Sequence, residues 1–138
     1  LFVAAFIGTP PMNFVKATLA DGGTTLKAAA FSLPVAQSYR ALTAGKDGKA
    51  LVVGIRAENL GDGSRPARGE SARIPATVEI AEPLGHEVLV YARAGGDDLI
   101  VAKVDPHRAP AIDQKIELVV ELESLHLFDA ATERRLTA

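Results

Sequence analysis

A chain of 138 residues with a formal net charge of −2 has the size of one compact domain and lacks the basic excess that nucleic acid or an anionic membrane surface demands. Cysteine is absent, which excludes a disulfide framework, a thiolate zinc site and a Cys nucleophile and fits a reducing compartment. Apolar runs fall well short of the ~18 residues of a transmembrane helix, and charges are spread along the chain, so neither a membrane-spanning helix nor wholesale disorder is expected.

The chain opens on Leu1 and enters an apolar run that has no basic leader, so a piece with a missing N-terminal neighbour is expected rather than a targeting peptide. Phe2 and Phe6 stand one helical turn apart, as do Val3 and Ile7. Residues 1–7 therefore read as the tail of an amphipathic helix stopped by Gly8 and Pro10-Pro11. From there the period becomes two. Val15, Ala17 and Leu19 alternate with other residues, and Asp21-Gly22-Gly23 turns the chain into a second strand over 24–30.

A second hairpin is expected from residues 39–42 and 50–56 around Gly45-Lys46-Asp47-Gly48, with Leu51, Val53 and Ile55 on one face. Residues 59–73, rich in Gly, Ser and Arg, are expected to be a long mobile loop. A third hairpin joins Ile74, Ala76, Val78 and Ile80 to Val88, Val90 and Ala92 through Leu84-Gly85-His86. Leu99 to Val104, then Ile116, Leu118, Val120 and Leu122, and finally Leu125 and Leu127 complete about nine short strands. Such a rhythm without an internal helix or sequence repeat predicts an all-β barrel or sandwich.

The residues offer little chemistry. Gly45-Lys46-Asp47-Gly48-Lys49 is no phosphate loop, because Thr43 occupies the position where the earlier glycine is needed. Ser124, His126 and Asp129 cluster locally along a strand and its end, which is not triad geometry. His86, His107 and His126 lack metal-ligand spacing, and Glu121 with Glu123 is expected to be a solvated pair on one strand face. No catalytic, metal or cofactor residue is assigned.

Four stretches in order resemble the C-terminal region of the ATPase subunits of maltose-type and glycerol-3-phosphate-type ABC importers. They are residues 2–14 (FVAAFIGTPPMNF), 54–60 (GIRAENL), 78–87 (VEIAEPLGHE) and 125–136 (LHLFDAATERRL). The family pattern has Pro at Ala57, His at Asn59, commonly Val at Ala81 and Gly at Glu133, so those four positions depart from it.

The resemblance implies a TOBE-type domain, an OB-fold-like β-barrel with extra strands and a short N-terminal helix remnant, in agreement with the period-two reading. It implies a junction over 1–13 from an absent ATPase domain and an accessory domain over 14–138. Gly54, Leu84, Gly85, Leu125, His126, Phe128 and Asp129 are its structural motif, with Leu84 and Leu125 expected in the core. Arg56 and Glu58, a same-face surface pair, and Phe2 and Phe6 are candidate partner or dimer contacts. The implied role is regulatory and dimer-supporting, not catalytic, with ATP and Mg bound only by the absent domain. The implied partners are that domain, a second copy of the subunit, the permease subunits and a regulatory protein, with no nucleic acid, at the cytoplasmic face of the membrane. An alternative drawn from related domains is oxyanion binding, of molybdate for example, with Lys103 or Lys115 supplying charge.

Overall fold

The computed structural model describes residues 12–63, 69–95 and 99–136. The expected helix remnant, Phe2 and Phe6 lie outside them, as do residues 64–68 of the expected long loop. The all-β expectation holds. Ten strands run in order as β1 (Met12–Ala20), β2 (Thr25–Lys27), β3 (Ser32–Pro34), β4 (Ala50–Arg56), β5 (Leu60–Gly61), β6 (Ser71–Leu84), β7 (Glu87–Arg93), β8 (Leu99–Val104), β9 (Lys115–Glu121) and β10 (His126–Asp129).

They form two five-stranded sheets, ordered β10-β4-β1-β2-β3 and β5-β9-β6-β7-β8. The two orders are the same once β1 to β4 are matched with β6 to β9 and the fifth strands are exchanged. β5 leaves the first half to pair with β9, and β10 leaves the second to pair with β4. Each crossing is made by a 3₁₀ turn, Ala57–Asn59 or Leu122–Ser124, whose first residue is buried. This duplication is one of topology and leaves no repeat in the residues, which is why none was legible.

One core lies between the sheets. The alternating residues Leu51, Val53 and Ile55 of β4 meet Ile74 and Val78 of β6, Val90 of β7 and Leu118 of β9, with Leu60 and Leu127 arriving on the exchanged strands. The hairpin β1–β2 and the hairpin β6–β7 form as their patterns predict. In the latter, Leu84 faces Glu87, leaving Gly85 and His86 as a two-residue turn with Gly85 at φ 60, which glycine adopts without strain.

Several expectations are corrected. Residues 37–43 form a 3₁₀ turn, Gln37–Tyr39, and a short helix α1 (Arg40–Thr43), not a strand, and β4 pairs with β1 and β10 instead. Four residues are too few for alternation to distinguish strand from helix, and buried Thr43 Oγ1 donates to Gly23 O at 2.7 Å, anchoring the turn. The loop expected over 59–73 is shorter, because buried Leu60 pairs with Val120 and β6 already begins at Ser71. β9 ends at Glu121, so Glu121 and Glu123 share no strand face, and Glu123 accepts from Ser38 Oγ at 2.5 Å. Leu84 is 49 % exposed rather than core, because a bulge between Val78 and Ile80 shifts the outer half of β6 and Leu84 lies at the hairpin end. Leu125 is buried as expected.

Candidate interaction face

The motifs at 54–60 and 125–136 lie some seventy residues apart, yet β4 and β10 are neighbours. Residues directly opposite on antiparallel strands share a face. Phe14, Gly54 and His126 therefore form one outward row, and Lys16, Val52 and Phe128 the next, with Met12 opposite Arg56. A bridge between Phe128 and Arg135 brings the C-terminal turn alongside.

Gly54 is the floor of this face. A Cβ there would stand 2.9 Å from Met12 Sδ and 3.1 Å from Phe128 Cε2, so any side chain at this position would displace the Met12 thioether and crowd the Phe128 ring. Phe14 and Phe128 meet edge to face with ring centroids 6.1 Å apart, a favourable arrangement of their quadrupoles. Val52 faces outward in register but is buried at 8 % exposure.

Cations rim the apolar floor. Lys16, Arg56 and Arg135 make no ion pair among the described residues, in contrast to Lys49, which reaches Asp129 Oδ2 at 2.8 Å. Burial, then the nearby charges of Arg135 and Arg56, pull His126 below its usual pKa of 6.5, so its imidazole is neutral at pH 7. Asp129 is held down to about 2, first by its hydrogen bond from Lys49 and then by the N–H groups of Thr132 and Ala131. Its carboxylate fixes the turn that carries Arg135.

Of the sequence candidates, Gly54, Arg56, His126 and Phe128 are brought together on this face, and Asp129 supports it. Glu58 sits exposed in the following 3₁₀ turn and makes no ion pair with Arg56 among the described residues. Leu84 and Gly85 belong to the other sheet, at the β6–β7 turn. No chemistry assembles. Ser124 Oγ donates to Glu121 O at 2.6 Å, and the described residues contain no metal-ligand cluster. Lys103 is engaged by Glu87 at 2.8 Å, three strands away from the strand of Lys115, so the two lysines do not converge on an oxyanion.

Asn13 escaped sequence reasoning. Its buried amide donates to Ile55 O at 3.0 Å and Val101 O at 2.9 Å and accepts from Val101 N at 2.8 Å. It thereby imitates a strand partner for β8 and ties the two sheets together. A lone Asn beside aromatic residues carries no signal of this in one dimension.

Residues 8–60 match the MalK OB fold domain and residues 53–128 match the TOBE domain. Similar curated proteins include the sulfoquinovosyl glycerol transport ATP-binding protein SmoE of Agrobacterium fabrum, 34% identical over 97% of this chain and 36% of that protein. The oligosaccharides import ATP-binding protein MsmX of Bacillus subtilis is 31% identical over 99% and 37%. An sn-glycerol-3-phosphate import ATP-binding protein UgpC, of Chromohalobacter salexigens, is 36% identical over 94% and 33%. The chain thus spans about a third of the length of these relatives. A structure of the cytoplasmic molybdate-binding protein ModG resembles the chain with a TM-score of 0.62 at 20% identity, covering 83% of this chain and 94% of that one, a likeness of fold.

Proposed function

The chain belongs to the TOBE domain family, and from that premise we propose that it is the C-terminal accessory domain of the ATP-binding subunit of an ABC importer for sugars or related solutes such as glycerol 3-phosphate. In this reading it binds no nucleotide. ATP and Mg would be held by an ATPase domain elsewhere in the subunit, at the cytoplasmic side of the membrane, with permease subunits as its partners. The domain's task is to keep two subunits together and to receive regulatory proteins.

The observation that carries the proposal is the convergence of the 54–60 and 125–136 motifs on one outward face. Its aromatic floor and its cations Lys16, Arg56 and Arg135 suit a protein contact with an acidic, apolar-anchored segment. Names of relatives such as SmoE, MsmX and UgpC support the importer class.

The test is a full-length subunit truncated from residue 13 onward, beside one carrying Arg56→Glu and Arg135→Glu. Nucleotide binding should survive in both. Dimer lifetime after hydrolysis, or inhibition by a regulator, should fall in both. If ATPase rate, dimer lifetime and regulation all match the intact transporter, the reading is wrong. The fold likeness to ModG raises oxyanion binding as a second reading. A tight calorimetric isotherm with molybdate or tungstate would favour it; the engagement of Lys103 by Glu87 weighs against it.

A further inference from the structure

Two arginines flank one imidazole on the outward face of β4 and β10. His126 stands opposite Gly54, so Arg56, two residues further along β4, lies diagonally from it. Arg135 stands opposite Phe128 and lies diagonally from His126 on the other side. Diagonal neighbours in a sheet are about 7–8 Å apart, within reach of an arginine side chain. Both guanidinium charges act on the half-buried imidazole. Neither is answered by a carboxylate. Asp129, on the same strand, is taken by Lys49 and by the N–H groups of Ala131 and Thr132, and Glu123 accepts from Ser38. Glu58 follows Arg56 and Glu133 precedes Arg135, yet neither forms an ion pair with these arginines among the described residues. From β1, Met12 and Phe14 bring no charge to the face, and Lys16 adds a further cation one row on.

We propose that Arg56, His126 and Arg135 form a binding site for a small phosphate monoester, such as a sugar phosphate, whose carbon body lies on the half-buried Phe128 ring. Each guanidinium presents paired N–H donors to the terminal oxygens of a phosphoryl group, and the imidazole supplies a further donor. A carboxylate has two oxygens and one charge, too few for three partners converging from two sides. A phosphomonoester has three terminal oxygens and a charge of about −1.5 to −2 at pH 7. By themselves, burial and the two arginines keep the imidazole neutral; the dianion cancels that repulsion and accepts an N–H bond, so His126 takes up a proton as the ester binds. Solvent reaches the site, each pair contributes little, and the expected dissociation constant is about 1 mM. The ester takes the same cations as the acidic segment invoked above, so the two compete. That competition, unlike the site itself, rests on the protein-contact reading.

Proton NMR of the three histidines at constant ionic strength is the test. Glucose 6-phosphate should move the His126 signal saturably, with a midpoint of about 1 mM, and raise the pH at which it titrates. His86, in the β6–β7 turn, and His107, in the Pro106–Arg108 turn, should stay in place. Glucose and sodium acetate should leave all three unmoved. Arg56→Gln and Arg135→Gln should each weaken binding about fivefold. Lys115→Gln removes the same charge from exposed β9 in the other sheet and should change binding by less than about twofold. The proposal is overturned if His126 does not respond, if acetate moves it as far, or if Lys115→Gln weakens binding as much as Arg56→Gln. Vesicles of phosphatidylcholine with phosphatidic acid distinguish a lipid phosphate from a soluble ester: sedimentation with them that glucose 6-phosphate does not release also overturns it. Should His126 fail to respond while truncation still shortens dimer lifetime in the full-length subunit, the phosphate site is wrong and the accessory-domain reading stands.

Discussion

At Glu133 the backbone takes φ 60, a conformation that costs a non-glycine residue about 1–2 kcal/mol, and its Oε2 is buried without a hydrogen-bond partner among the described residues. Related sequences are expected to carry Gly there. Glu133→Gly should stabilise the chain by about 1 kcal/mol, part of the strain relief being offset by a freer unfolded chain. Thermal melts check this, and a lowered melting temperature would refute it. At Gly54 the argument runs the other way. Gly54→Val should cost about 1–3 kcal/mol by overpacking against Met12 and Phe128. Two groups set the acid response. Because His126 titrates lower when folded than its usual 6.5, the unfolded chain binds more protons just below pH 6.5, and stability drops as pH falls through that window. Asp129, held to about 2, contributes stability above its ordinary 3.8 that is lost as pH falls toward 2. His126→Gln should flatten the first slope and Asp129→Asn the second in melting temperatures measured against pH.

Among the elements, β1 depends on one polar side chain. Asn13 links β1 to β4 and to the edge of β8, so Asn13→Ala leaves the partly buried N–H and C=O of Val101 without their side-chain partner and removes the buried bond to Ile55 O, and should cost about 1–3 kcal/mol. Asn13→Asp should cost as much, because it loses both donated bonds; if denaturant melts of either variant match the parent, the bridge contributes nothing. The β6–β7 hairpin behaves differently. Leu84 stands at its exposed end, so Leu84→Asp should change stability by about 0.5 kcal/mol or less in dilute solution, whereas Leu118→Ala, in the shared core, should cost about 2–5 kcal/mol. The expectation that Leu84 was core failed because alternation cannot reveal a bulge that shifts a strand's register partway along.

Over the whole molecule, strand exchange governs cooperativity. Each sheet takes its fifth strand from the other half, so neither half keeps a complete sheet alone. The chain should unfold in one transition. The two tyrosines, Tyr39 and Tyr91, fall one in each half and serve as reporters. Their ring signals in NMR should vanish at the same temperature, and earlier loss of either would show that the halves melt separately. Cleavage within residues 64–68, between the halves, should leave two pieces that remain associated through β5 and β10.

The residues by themselves determined the β class, most strand positions and the β1–β2 and β6–β7 hairpins, because a period of two and turn-forming glycines are local physics. They also marked Gly54, Arg56, His126 and Phe128 as notable, through resemblance more than through chemistry. Only the tertiary structure decided that these four share a face, since β4 and β10 meet across some seventy residues by non-local pairing. It likewise decided that residues 40–43 coil instead of extending, through the contacts of buried Thr43, and that Asn13 stands in for a strand. The exchange of β5 and β10 was hidden for the same reason. A strand's sequence states which side it buries, and the partner it pairs with is set by the closure of the whole core.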